Sequence, residues 1–119
     1  MTTSVLVVDD DARFRALALR ILTAAGFTIC GEADTWAGGL EAALDLRPAA
    51  ILVDARLPDG DGIALARRMM TLPWAPQVLL TSSDDDVGSE LAEAPNDGVR
   101  FVPKSDLPDA PLTALLGTV

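Results

Sequence analysis

Val5-Leu6-Val7-Val8-Asp9-Asp10-Asp11 is the stretch whose reading decides the fold. Four consecutive apolar residues leave no polar face, which suits a strand covered on both sides, as in the middle of a parallel sheet. The run stops at three acids. Behind them Phe14, Leu17, Ile21 and Leu22 recur at helical spacing, with Arg13, Arg15 and Arg20 off that stripe and Gly26 placed to close the helix. The unit is therefore a strand followed by an amphipathic helix.

The same unit recurs along the chain. Phe27-Thr28-Ile29-Cys30-Gly31 reads as a second strand, and Leu40, Ala43 and Leu44 mark a second helix closed by Arg47-Pro48. Ala50-Ile51-Leu52-Val53 is a third strand, again ending in an acid, Asp54. A Pro-, Gly- and Asp-rich loop from Leu57 to Gly62 leads to a third helix carrying Ile63, Ala66, Met69 and Met70. Val78-Leu79-Leu80 runs into Thr81-Ser82-Ser83, and Val87, Leu91 and Ala94 predict a fourth helix broken by Pro95. Val99-Arg100-Phe101-Val102 ends at Pro103-Lys104, and Leu112, Leu115 and Leu116 supply a short last helix. Five such units predict a single α/β domain over residues 1–119, with right-handed crossovers placing helices on both faces of a parallel sheet.

Composition narrows the function. Eighteen acids against nine bases leave a net charge of −9, which repels phosphate backbones and anionic lipid heads, so direct nucleic-acid or membrane binding is not expected. One cysteine and no histidine exclude an internal disulfide and deprive zinc or haem of their usual ligands, leaving hard cations held by oxygen. No apolar run approaches the roughly 18–20 residues of a membrane span, and Met1-Thr2-Thr3-Ser4 lacks the basic flank of a signal peptide, so a cytoplasmic protein is expected. Lys104 is the sole lysine among nine basic residues.

In open parallel sheets, ligands bind beyond the carboxyl ends of the strands. The residues predicted there are Asp9 and Asp10, Asp54, Thr81 and Ser82, and Lys104. Carboxylates about 4 Å apart repel by about 4 kcal/mol at an effective dielectric of 20, a conflict that a divalent cation removes. With oxygen ligands only, Mg²⁺ is the natural candidate. A lysine suits a phosphoryl oxygen, a hydroxyl can donate to another, and a carboxylate can itself be the nucleophile that forms an aspartyl phosphate. No Gly-rich nucleotide cradle is present, so the phosphoryl donor must be another molecule.

These residues and their order resemble the response-regulator receiver domains of two-component signalling over essentially the whole chain. The motifs are Asp9-Asp10-Asp11 after the first strand, Val53-Asp54 with Leu57-Pro58-Asp59-Gly60-Asp61-Gly62, Leu80-Thr81-Ser82, and Phe101-Val102-Pro103-Lys104. The resemblance implies a flavodoxin-like doubly wound sheet of order 2-1-3-4-5. It implies Asp54 as phosphoacceptor, Asp9, Asp10 and Asp54 as Mg²⁺ acids joined by the backbone carbonyl of Arg56, Lys104 as the phosphoryl anchor, and Phe101 as a switch aromatic. One hydroxyl is expected to move with that aromatic; counting back from Lys104 favours Ser82, counting forward from Pro76 favours Thr81, and Ser82 is preferred. The family often has proline after the lysine, whereas Ser105 follows here and Pro103 precedes.

Simpler roles stand beside these. Asp11 suits a helix N-cap, and Asp84-Asp85-Asp86 a solvated helix start. Asp59-Gly60-Asp61-Gly62 resembles the start of a calcium loop, but Met70 occupies the twelfth position, where the bidentate acid belongs, so a turn shaping the site is expected instead. Trp36, Trp74, Met69, Met70 and Cys30 read as packing residues. The expected partners are a histidine kinase or histidine phosphotransfer protein and a downstream effector, with phosphorylation-dependent homodimerisation as one form of output. The chain is expected to be a phosphoacceptor, not an enzyme in the ordinary sense, and a stand-alone regulator is preferred to the N-terminal receiver of a longer DNA-binding regulator. Two other readings compete: a phosphorylation-independent pseudo-receiver, and a phosphatase with an aspartyl intermediate. The latter generally needs a second acid two residues after the nucleophile, where this chain has Arg56.

Overall fold

The computed structural model describes residues 3–84, 87 and 98–117. Its elements are β1 (Ser4–Val8), α1 (Ala12–Ala24), β2 (Thr28–Ala33), α2 (Trp36–Leu46), β3 (Ala50–Asp54), a small hairpin of β4 (Arg56–Leu57) and β5 (Gly60–Asp61), α3 (Gly62–Met70), β6 (Gln77–Ser82), β7 (Arg100–Pro103), a 3₁₀ helix (Lys104–Asp109) and α4 (Leu112–Leu116). The main sheet has the order β2-β1-β3-β6-β7 with every pairing parallel, which is the expected 2-1-3-4-5 arrangement once the hairpin is set aside. In the predicted fourth helix, Val87 is buried, whereas Leu91, Ala94 and Pro95 lie outside the described residues, as do Asp85 and Asp86.

Side chains alternate across each strand, so the sheet feeds two cores. Leu6, Val8, Ile51, Val53 and Leu80 pack with Ala43, Leu65, Ala66 and Met69 of α2 and α3. Val5, Val7, Ala50, Leu52 and Leu79 pack with Phe14, Ala18, Leu22, Leu112 and Leu116 of α1 and α4. Residues Val5 to Val8 are fully buried, as expected of a strand covered on both faces.

Two helical stripes differ from expectation. The buried face of α1 is Phe14, Ala18 and Leu22, while Leu17 is exposed; α2 buries Gly39 and Ala43 and leaves Leu44 exposed. Close approach to the sheet explains the second case, because a Cβ on Gly39 would stand 2.8 Å from Val8 Cγ1. Contact at that range selects the smallest side chains and turns the large leucine outward.

Candidate functional site

Strand alternation also sorts the polar groups. Asp9 continues the side of β1 that carries Val5 and Val7, and Asp54 continues the side of β3 that carries Ala50 and Leu52. Thr81 is registered beside Asp54, and Val102 beside Thr81, which brings Lys104 to the same side two residues later. The ammonium of Lys104 accordingly lies 4.3 Å from the centre of the Phe14 ring in the α1-side core. Ser82 and Phe101 follow the opposite parity, with Phe101 registered beside Leu80.

Each acid is held by its own backbone surroundings. Asp9 donates its N–H to Ala33 O at 2.9 Å, and its Oδ1 accepts the Asp11 N–H at 2.8 Å. Asp11 in turn caps α1, accepting from the N–H groups of Arg13 and Phe14. Asp54 Oδ1 accepts the Arg56 N–H at 3.2 Å, and Ala55 N–H donates to Thr81 O at 2.8 Å, tying the exit of β3 to β6. Asp10 is exposed, whereas Asp9 and Asp54 are buried.

The tertiary fold brings these together. One carboxylate oxygen from each of Asp9, Asp10 and Asp54 lies within 4.8 Å of the others. Lys104 Nζ stands 2.8 Å from Asp9 Oδ2 and 3.4 Å from Asp54 Oδ2. The short contact gives the buried Asp9 oxygen a charged partner, but one ammonium faces three carboxylates. Three converging carboxylates that outnumber the neighbouring ammonium fit a hard divalent cation by charge and by ligand type. Thr81 Oγ1 is also buried and without a partner among the described residues, whereas Ser82 Oγ already accepts the Asp84 N–H at 2.9 Å. Arg56 projects outward and pairs with Asp84 at 3.3 Å. The Lys104–Ser105 peptide bond is trans.

Burial pushes the Asp54 carboxyl above its ordinary range and the Asp9 charge adds to this, while the Arg56 N–H and Lys104 pull partly the other way. For Lys104, burial alone would lower the value, but the contacts with Asp9 and Asp54 outweigh it and the ammonium is held above the ordinary lysine range. Its contribution to stability is therefore fully present at neutral pH and is lost only as pH rises through the raised value. Replacing it leaves two carboxylates facing each other in a largely buried place. Lys104→Met is expected to cost about 3 kcal/mol at pH 7 without added metal, measured by urea unfolding. A variant as stable as the parent would mean that the pair carries no weight.

The hairpin behaves as the shaping turn expected of it. Asp61 caps α3 through the Ile63 N–H, and Asp59 accepts from the N–H groups of Trp36 and Ala37 at 2.6 and 3.1 Å, which lowers its pKa. Trp36 Nε1 donates to Asp61 O, and Trp74 Nε1 to Pro48 O, so both indoles do more than pack. Cys30 is partly buried, and burial raises its thiol pKa. The clamp between α2 and the hairpin is invisible in the sequence, since an Asp in a Gly-rich loop carries no sign of its distant partner. Arg15 was likewise unmarked: its Nη1 donates to Asp9 O at 2.7 Å and its Nε to Glu32 at 3.1 Å.

Comparison with known proteins bears on the family and the fold. Residues 5–110 match the model of the response regulator receiver domain. The chain is 37% identical over 103 residues to a protein-glutamate methylesterase/protein-glutamine glutaminase of Archaeoglobus fulgidus, covering 86% of this chain and 30% of that protein. It thus spans about 30% of the length of the curated relatives it matches. Among solved structures, the signal receiver domain of the response regulator NarL from Mycobacterium tuberculosis superposes with a TM-score of 0.78 at 29% identity, covering 96% of both chains. A chain of the CheX–CheY–BeF3–Mg²⁺ complex from Borrelia burgdorferi shares the fold with a TM-score of 0.80 at 17% identity, covering 96% of this chain and 90% of that one.

Proposed function

The chain belongs to the response regulator receiver domain family, and from that membership we propose that it accepts a phosphoryl group on Asp54 from the phosphohistidine of a kinase or phosphotransfer protein. The observation that carries this reading is the convergence of the Asp9, Asp10 and Asp54 oxygens within 4.8 Å, with Lys104 Nζ 2.8 and 3.4 Å from two of them. An Asp54 oxygen attacks phosphorus as the phosphorus–nitrogen bond breaks, and the electron pair leaves with the imidazole. A magnesium ion held by Asp9, Asp10, Asp54 and the Arg56 carbonyl would supply positive charge to the phosphoryl oxygens. Lys104 balances charge on the same group from the side of β7, and its contact with Phe14 and two carboxylates keeps it aimed there.

Thr81 is the hydroxyl better supported to meet the phosphoryl group, because it is registered beside Asp54 and its oxygen is buried and unpartnered among the described residues. Ser82 and Phe101 share the other side of the sheet, which supports them as the part that carries a change toward the α2–α3 core. The domain acts as a phosphoacceptor that takes part in its own phosphotransfer and dephosphorylation, and it signals to a downstream effector protein or domain. Within the described residues, no helix is long and apolar enough to cross a membrane.

The direct test is incubation with acetyl phosphate and Mg²⁺ followed by intact-mass measurement. One added phosphoryl group is expected with Mg²⁺ and none with excess chelator. Absence of any adduct with acetyl phosphate, phosphoramidate or a phosphorylated kinase would sink the proposal.

A further inference from the structure

We propose that Arg15 is a positioning residue for the metal-binding acids, acting through the backbone of Asp9; the inference rests on the reading of Asp9, Asp10 and Asp54 as a Mg²⁺ site. Arg15 closes the first turn of α1, and its side chain is only 21% exposed despite its charge. One arm of its guanidinium donates to Asp9 O at 2.7 Å, a short charge-assisted bond, and Nε donates to Glu32 on β2 at 3.1 Å. The fork spans the exit of β1 and the end of β2, and Asp9 N–H binds Ala33 O beside it.

The peptide unit so gripped joins Asp9 to Asp10. Its plane determines where the Asp10 side chain leaves the main chain, and Asp10 is the exposed member of the acidic trio. Asp9 is secured independently by Asp11 N–H and Lys104, so Arg15 matters most for the residue that has no such anchors among the described contacts. A positive charge near a cation site would by itself weaken cation binding. Glu32 offsets that charge at 3.1 Å, which leaves orientation as the larger effect. The two effects have opposite signs, so a single measurement separates them.

The experiment is calorimetric titration of Mg²⁺ into the whole chain and its Arg15→Met and Arg15→Lys variants, with phosphorylation by acetyl phosphate followed across Mg²⁺ concentrations. Arg15→Met is expected to raise the Mg²⁺ dissociation constant about tenfold, the scale seen when partners that orient metal ligands are lost. The phosphorylation rate at saturating Mg²⁺ should stay within about twofold of the parent, because Asp54 and Lys104 are untouched. Arg15→Lys, which lacks the fork needed to hold Asp9 O and Glu32 together, should lose about threefold. Unchanged or tighter binding by Arg15→Met overturns the inference while leaving the site intact; if that variant does not fold, parent-like affinity in Arg15→Lys does the same. A parent chain that binds no Mg²⁺ overturns the site reading, and this inference with it.

Discussion

Asp54→Asn is expected to take up no phosphoryl group under conditions where the parent chain is fully modified, and at the same time to unfold at a higher temperature at pH 7. The first effect is chemical. An amide oxygen lacks the charge and nucleophilicity of a carboxylate, and the other acids of the site sit on different strands and loops with different neighbours. Persistence of the adduct in the variant, by intact mass and peptide mapping, would move the acceptor elsewhere.

The second effect follows from burial. Asp54 has its folded-state pKa raised above the ordinary 3.8, chiefly by burial, with Asp9 adding to it. A raised value means that the folded chain holds the proton more tightly than the unfolded chain. The resulting stabilisation is present below the unfolded pKa and is lost as pH rises through the folded one, so at pH 7 the ionised group is a cost to the fold. Asparagine removes that cost. The stabilisation of the variant over the parent should therefore be largest at neutral pH without metal and shrink as pH falls toward the ordinary carboxylate range. Saturating Mg²⁺ should narrow it as well, since only the parent retains the full set of acids. A difference in midpoint that does not vary between pH 4 and pH 7 would contradict this account.

Gly62→Ala is expected to be the most damaging small substitution near the site. A Cβ at position 62 would collide with the backbone oxygen of Asp54 and come within 2.7 Å of Ala55 Cα. These are main-chain atoms of the acceptor segment, which cannot rotate away as a flexible side-chain tip can. Gly62 also donates its N–H to Ala55 O at 2.9 Å, so α3 begins in direct contact with the end of β3. The collision must be relieved by moving either the helix or the acceptor strand. A loss of about 3 kcal/mol in urea unfolding is expected, together with slower phosphorylation, because the backbone that aims Asp54 is the part displaced. Gly38→Ala offers a contrast, since its nearest obstacle is the Thr35 hydroxyl, a side-chain atom at 2.8 Å. Equal stability of Gly62→Ala and the parent would refute the close-approach argument.

The strands and the three acids of the site were legible because their signals are local. Val5 to Val8 must be buried on both faces, and the acids that end such a run must emerge at the carboxyl edge. The same rule located Asp54 and Lys104. The choice between Thr81 and Ser82 was not legible in this way, because counts from Lys104 and from Pro76 cross segments whose lengths no local rule constrains. The pairing of Thr81 with Asp54, together with the opposite strand side taken by Ser82, bears on that choice. Leu17 and Leu44 fit a helical period but face outward, since period alone does not say how closely a helix approaches its sheet. The contacts of Arg15 with the Asp9 carbonyl and of Asp59 with the start of α2 gave no signal, because a charged residue off an apolar stripe or in a loop is ordinarily solvated.

By itself, then, the sequence determined the alternation of strands and helices, the parallel class of the sheet and the edge at which Asp9, Asp10, Asp54 and Lys104 would meet. Those follow from hydrophobic period and from charge at strand ends, which act over a few neighbouring residues. Only the tertiary structure decided that Thr81 stands beside Asp54, that Arg15 grips the Asp9 carbonyl, that Asp59 holds the start of α2, and that Gly62 presses on the acceptor's backbone. The physical reason is that hydrogen bonds and steric contacts are satisfied within about 3–4 Å, between groups whose separation along the chain carries no information about their separation in space.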